Sequence, residues 1–312
     1  MISDDTEHIC MVAASLIEAL AGQNSERQVE VFTRRFAGRL RWWILALPAG
    51  VGKATARSGI RLWLGFKPEN AGVFSAGNGP AMRAAIFGVA IDDVSRMLNF
   101  VRASSRLTHT DPKAEYGAIA VALAAREAKR SRMESSKTVD ARRWLASVET
   151  AIGGEGSELH ELLRQAIASV TTGEATIDFA KALGLEKGVT GYTYHTVPVA
   201  IHAWLSNPTD FQRAVTTMIQ CGGDADTTAA IVGGIVGAGV GSEGIPSNLL
   251  DGICESPRSV RWMRTLGASL AAAEGKTPEP VRRLNPLSIL IRNLFFLAVV
   301  LFHGFRRLAP PY

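Results

Sequence analysis

Apolar residues along this chain recur at the spacing of one helix face far more often than they alternate. After "SDDT" they fall at Ile9, Val12, Ala13, Leu16, Ile17 and Leu20, which predicts a helix starting almost at the first residue. Ser3 or Asp5 is positioned to cap its first turn, and the acids there suit the positive end of the helix dipole. "TDPKAEYGAIAVALAAREAKR" opens with Asp111 as a cap and Pro112 at the first helical position, and its Ala-rich body runs to a basic end. "ARRWLASVETAI", "SELHELLRQAIASV" and "ATIDFAKALGL" predict further helices. Period-two alternation is scarce and no strand–turn–strand signal stands out. The expected fold class is therefore all-α. Gly-, Pro- and polar-rich breaks punctuate the helices, among them "KPENAGVFSAGNGPAMR", "SSRLTHTDP" and "EGKTPEPVRRLNP". None is long or biased enough to be a disordered linker.

The last of these breaks sets off "LSILIRNLFFLAVVLFHGFRRL". The chain thus divides into a body (residues 1–270), a connecting segment (271–286) and an apolar helix with a basic end (287–312). The uninterrupted apolar run, Leu294 to Phe302, falls short of the ~18–20 residues that a spanning helix needs. Arg292 interrupts one end; His303, Arg306 and Arg307 close the other. The first expectation is that this helix packs into the body. An amphipathic helix on a membrane surface is the second, and a true span the third.

Composition narrows the classes. With 312 residues, 47% of them hydrophobic, the chain can bury a large core as one big domain or two modest ones. A net charge of +5 favours anionic ligands such as phosphates but is too diluted for nucleic acid. Cys10, Cys221 and Cys254 share no metal-type spacing and no secretory signal opens the sequence. They are expected to be buried free thiols, core filler rather than nucleophiles, in a reducing cytoplasmic setting. The chain is expected to act as a monomer.

One short pattern occurs twice: acidic residues and a threonine ahead of a helix. It appears as Ser3-Asp4-Asp5-Thr6 and again in "GGDADTTAAIVGGIVGAGVG", with Asp224, Asp226 and Thr227. Such oxygens are hard ligands, suited to Mg²⁺, Mn²⁺ or Ca²⁺ rather than zinc. Two such turns facing one another would offer enough oxygens for a pair of divalent ions bridged by a carboxylate. A single acid-rich first turn is ordinarily just a cap; the second copy argues for more. Gly222 and Gly223 allow a sharp turn before the acids, and Gly233, Gly237 and Gly241 stand at every fourth position behind them. A helix so poor in side chains needs close-packed neighbours to hold it. A third constellation, "SAGNGPAMR", can expose loop amides at a helix start, a phosphate-cradling arrangement. His109 in "LTHTDP" alone reads as a structural histidine.

Taken in order, "SDDTEH", "GNGPAMR", "LTHTDP", "GYTYHTVPVAIHAW" and "CGGDADTTAAIVGGIVGA" resemble the ADP-ribosylglycohydrolase family over roughly residues 1 to 255. The resemblance implies a compact all-α domain with two Mg²⁺ or Mn²⁺ ions. It implies hydrolysis of the bond joining ADP-ribose to a protein side chain, arginine or serine, or to a small conjugate. On it, Ser3, Asp4 and Asp5 form one ligand cluster and Asp224, Asp226 and Thr227 the other. The four aspartates are the expected catalytic groups. Ser75, Gly77, Asn78 and Gly79 would meet ADP-ribose, with amides around Gly77 at a phosphate and His109 lining the pocket.

The chain departs from the family pattern in places. A Gly-Asp-rich helix with a glutamate, which family members carry ahead of "SDDT", has no counterpart before Ser3, so a truncated start at Met1 is expected. Small Ala76 stands where relatives place an aromatic, and Gly50 offers no acid. A shortened member that binds ADP-ribose or serves structurally is the alternative. A phosphohydrolase acting on the pyrophosphate is a third reading.

Overall fold

The computed structural model describes residues 1–21, 27–136, 138–273, 281 and 283–308. Among them the fold is helical throughout, with three isolated β-bridges and no strand. At its centre lies the helix Pro112–Met133, buried on nearly every side from Ala114 to Ala128. Alanine makes this possible: its short side chain lets neighbouring backbones approach on all faces while costing little entropy. The helices Ala225–Val240, Ala85–Ala90, Val94–Arg106 and Thr193–Ser206 pack around it. Asp111 caps this helix as expected, its Oδ1 accepting from the Lys113 amide at 2.9 Å. The other helices expected here appear as Ala141–Ile152, Ser157–Thr172 and Thr176–Ala182.

The N-terminal helix Asp4–Leu20 lies against Gln28–Leu45 and Val260–Ala271. Beside it Phe32, fully buried, meets Phe36, Phe87 and Phe100 with ring centroids 5.8, 5.7 and 5.4 Å apart. Burying each such ring contributes about 1.5–3 kcal/mol, so this cluster holds Gln28–Leu45 against Ala85–Ala90 and Val94–Arg106.

The glycine-rich helix Ala225–Val240 has the close neighbours expected of it: a Cβ at Gly234 would come within 3.0 Å of the Ala85 Cβ, and one at Gly241, just past the helix end, within 2.3 Å of the Arg132 guanidinium. Two expectations need correction. Cys10 and Cys221 are buried, but Cys254 is exposed. Burial pushes the Cys10 thiol up to about 12, which leaves it inert at neutral pH.

The second correction concerns the C-terminal helix, Pro286–Leu308, which is not packed into the body. Only 11% of its apolar window is buried. Two polar side chains do the docking. Arg292 and Asn293 are buried, and Arg292 donates to both oxygens of Glu255 at 2.8 Å and to the Ile2 carbonyl at 2.6 Å. The Asn293 amide donates to the Ala46 carbonyl at 2.8 Å. The arginine that seemed to interrupt an apolar run is therefore the helix's hook. Half of the connecting segment expected at 271–286, residues 274–280 and 282, lies outside the described residues.

Candidate metal centre and the loops around it

The two acidic turns meet. One oxygen each of Asp4, Asp5 and Asp226 lies within 4.8 Å of the others. Neither turn is an ordinary cap: Ser3 and Asp224 occupy the N-cap positions of their helices without bonding a backbone amide there. The Ser3 hydroxyl donates instead to Asp5 Oδ2 at 2.7 Å. Asp224 Oδ2 accepts from the Asn78 side-chain amide at 2.8 Å. The Thr227 hydroxyl favours the charged forms of Asp5 and Asp224.

The electrostatics are unfavourable without a cation. Burial, then the neighbouring charges of Asp5 and Asp226, raises the Asp4 carboxyl to about 7. Burial likewise raises Asp5 and Asp224. Asp5 is fully buried and its Oδ1 has no hydrogen-bond partner. A buried carboxylate oxygen left unpaired costs considerable free energy. Crowded acids with an orphaned oxygen are what a hard divalent cation relieves, so the donor set fits such an ion.

Glycine shapes the surroundings at two positions. Gly223 (φ +78°) turns the chain into Asp224, and any Cβ there would lie 2.1 Å from the Val189 carbonyl. Gly50 (φ +85°) faces the cluster from another loop, where a Cβ would stand 3.3 Å from Asp4 Oδ1. The absence of an acid at Gly50 thus reflects a backbone that already sits against Asp4.

The motifs that lie far apart in sequence are stitched together by the three bridges: Val73 with His109, Gly77 with Tyr192, and Val189 with Gly223. The segment 188–196, which takes part in two of the three, is the strap. The Gly191 carbonyl accepts from the Asn78 amide at 2.9 Å, and the Ala76 carbonyl accepts from the Thr193 amide and hydroxyl at 2.9 and 2.7 Å. Asp224 N–H donates to the Val189 carbonyl at 2.7 Å. Thr196 accepts from Asn78 Nδ2 at 3.1 Å and donates to the Thr190 carbonyl at 2.8 Å.

Asn78 therefore acts on the cluster: its buried side chain orients Asp224. Its own amide is committed to Gly191, and the Gly77 amide points to Ser75 Oγ at 3.3 Å. Those two loop amides already have partners within the protein. Gly77 and Gly79 pack beneath the His109 ring, within 3.1 and 2.9 Å of where a Cβ would stand.

His109 is buried and neutral, its pKa pushed down to about 3 by burial and by the charge of Arg83. It bonds Thr108 Oγ1 at 2.8 Å, and Arg83 donates to the same hydroxyl at 2.6 Å. Arg83, fully buried, also donates to Ser104 and to the Gly79 carbonyl at 3.1 Å. Burial lowers its pKa to about 9. Arg83, Thr108 and His109 form a rigid floor under the loop.

Behind the cluster, Glu7 accepts from Arg258 at 2.6 Å and from Trp43, with Arg292 at 3.4 Å. Sequence reasoning missed Thr196, Gly191, Arg83, Glu7 and Arg292. The motif "GYTYHT" and the final arginine of "GNGPAMR" carried a signal for Thr196, Gly191 and Arg83; Glu7 and Arg292 gave none.

Comparison with known proteins matches residues 1–280 to the model of the ADP-ribosylglycohydrolase family. The chain belongs to that family. An uncharacterized protein of Archaeoglobus fulgidus is 27% identical over 80% of this chain and 75% of its own length. ADP-ribosyl-[dinitrogen reductase] glycohydrolase of Rhodospirillum rubrum is 26% identical over 87% of this chain and 80% of its own. ADP-ribosylhydrolase ARH3 of Homo sapiens is 30% identical over 59% of this chain, and the match takes in 56% of ARH3. Among solved structures, an ADP-ribosylglycohydrolase-related protein complex aligns with a TM-score of 0.60 at 26% identity, over 89% of this chain and 82% of that one. The all-α expectation and the family resemblance both stand.

Proposed function

We propose that this protein hydrolyses the glycosidic bond between the anomeric carbon of ADP-ribose and a protein side chain, arginine or serine, or a related small conjugate. The observation that carries this reading is the convergence of Asp4, Asp5 and Asp226, together with the unpartnered buried oxygen of Asp5. Ser3, Asp4, Asp5, Asp224, Asp226 and Thr227 are the residues that would hold two Mg²⁺ or Mn²⁺ ions. Bound there, such ions supply Lewis-acid polarisation and lower the pKa of water.

The chain's own residues do the rest. Cleavage at an anomeric carbon passes through an oxocarbenium-like state, which calls for negative charge nearby and a base for the attacking water. The aspartate cluster supplies both, one carboxylate accepting the water's proton. Asn78 and Thr196 fix the direction of Asp224, and Ser3 that of Asp5. The loop 75–79 lies beside the cluster on its Arg83–Thr108–His109 floor and is the surface offered to the ADP-ribose.

Incubation with Mg²⁺ and ADP-ribosyl-arginine or ADP-ribosyl-serine peptides tests the reading. Free ADP-ribose should appear, and a chelator should stop its release. Binding of ADP-ribose without turnover would point to a binding protein built on this fold. Release of AMP would point to cleavage of the pyrophosphate.

A further inference from the structure

We propose that the protein docks on an anionic lipid surface, with the C-terminal helix lying in the interface and a tryptophan patch on the body beside it. The helix Pro286–Arg306 is long and apolar enough to cross a membrane, yet it is neither N-terminal nor buried. From Val300 to Arg306 every residue is exposed, so the helix has no buried face there, and Leu301, Phe302 and Phe305 are bare. Bare Leu301, Phe302 and Phe305 beside His303 and Arg306 call for an apolar environment on one side and a polar one on the other, and from Val300 onwards the body covers neither.

A second surface lies at the docking point. Asn293 bonds the Ala46 carbonyl, and on either side of Ala46 the side chains of Leu45 and Leu47 are exposed. From there the patch continues through Trp42, whose ring meets that of Trp63 edge-on at 5.4 Å, to Leu64 and Phe66. Lys53, Arg57 and Lys67 stand exposed on the same segment. Exposed tryptophans with bases around them match the chemistry of the headgroup layer: the rings sit at the interface and the cations meet lipid phosphates. Arg306 adds a further cation at the helix end.

The geometry selects lying on the membrane over crossing it. Arg292 and Asn293 are tied to the body, so only the stretch beyond them is free to enter lipid. Residues 294–305 measure about 18 Å at ~1.5 Å per residue, well under the ~30 Å hydrocarbon core. An interfacial helix needs no more.

Flotation of the full chain with vesicles tests this, comparing phosphatidylcholine alone with phosphatidylcholine containing phosphatidylglycerol. The chain should float with the mixed vesicles, and Phe302→Glu/Phe305→Glu should weaken partitioning by about tenfold or more. Lipids brominated near the headgroup should quench tryptophan fluorescence in the unaltered chain and less in Trp42→Phe/Trp63→Phe. Thermal melting of each variant, which should match that of the parent chain, confirms that the body is folded. If the chain stays soluble with both vesicle types, or the Glu variant floats equally well, the proposal fails. It fails too if the chain ignores vesicles and forms a dimer that the same Glu variant dissociates, since a second copy then covers the helix. A tag after Tyr312 that becomes protected from added protease would overturn the interfacial geometry.

Discussion

Two kinds of aspartate stand at helix starts in this molecule. Asp93, Asp111, Asp140 and Asp210 each turn an oxygen back onto their own helix, accepting from the amides of Arg96, Lys113, Arg143 and Arg213 at 2.6 to 2.9 Å. Asp224 holds the same position before its helix and makes no such bond; its Oδ2 is held by Asn78 instead. Asp5, one turn into the N-terminal helix, is held by Ser3 and leaves an oxygen orphaned. The first kind satisfies the helix and stabilises the fold. The second leaves its own helix uncapped and turns its charge towards other acids, a cost that a bound cation would offset.

That contrast can be broken by substitution, and the sign on stability separates the two kinds. Asp226→Asn should lower hydrolysis by more than about 100-fold, since ligand-cluster changes exceed the ~10–100-fold typical of supporting residues. The metal-free variant should melt no lower than the parent chain, because a repelling charge has been removed from Asp4 and Asp5. A large loss of metal-free stability would show that Asp226 is a structural cap after all. Asn78→Ala should cost about 10–100-fold in activity, read as kcat/KM, by releasing Asp224.

Mg²⁺ at about 100 times its Kd should stabilise the fold by ~2.7 kcal/mol in thermal melts. The gain should vanish in Asp226→Asn and persist in Asp140→Ala. Asp140→Ala itself should destabilise the protein by about 1 kcal/mol and leave kcat unchanged. The smallest effect belongs to His109. Its folded pKa of about 3 lies below the usual 6.5, so it is neutral across the working range. His109→Gln should therefore leave both limbs of the pH–rate profile in place. The sign for stability is the opposite of a salt-bridged histidine: the unfolded chain binds this proton first, so the contribution is present above pH 6.5 and falls as pH drops towards 3.

Much of this was legible in the residues themselves. Helix periodicity carried the fold, and the doubled acid–threonine pattern marked both halves of the cluster. The strap was not legible, because Asn78 meets Thr196 and Asp224 across 118 and 146 positions and no local pattern encodes such a pairing. Arg292 misled for a related reason: within an apolar run a charge looks like an interruption. Only its partners, Glu255 and the Ile2 carbonyl, show it to be an anchor. The exposure of Cys254 and of the C-terminal helix likewise depends on what packs nearby rather than on the residues alone.

The bond from Arg292 to the Ile2 carbonyl spans 290 positions. It gives the centre a birth order. Asp4 and Asp5 leave the ribosome long before Asp224 and Asp226, and the hook that steadies Ile2 comes later still. At about 5–20 residues per second, on the order of 15–60 s separate the synthesis of Asp5 from that of Arg292. During most of synthesis the nascent chain thus holds only half of its acidic centre, and a ribosome that stalls before Arg292 releases a chain in which Ile2, just ahead of Ser3 and Asp4, lacks this clasp.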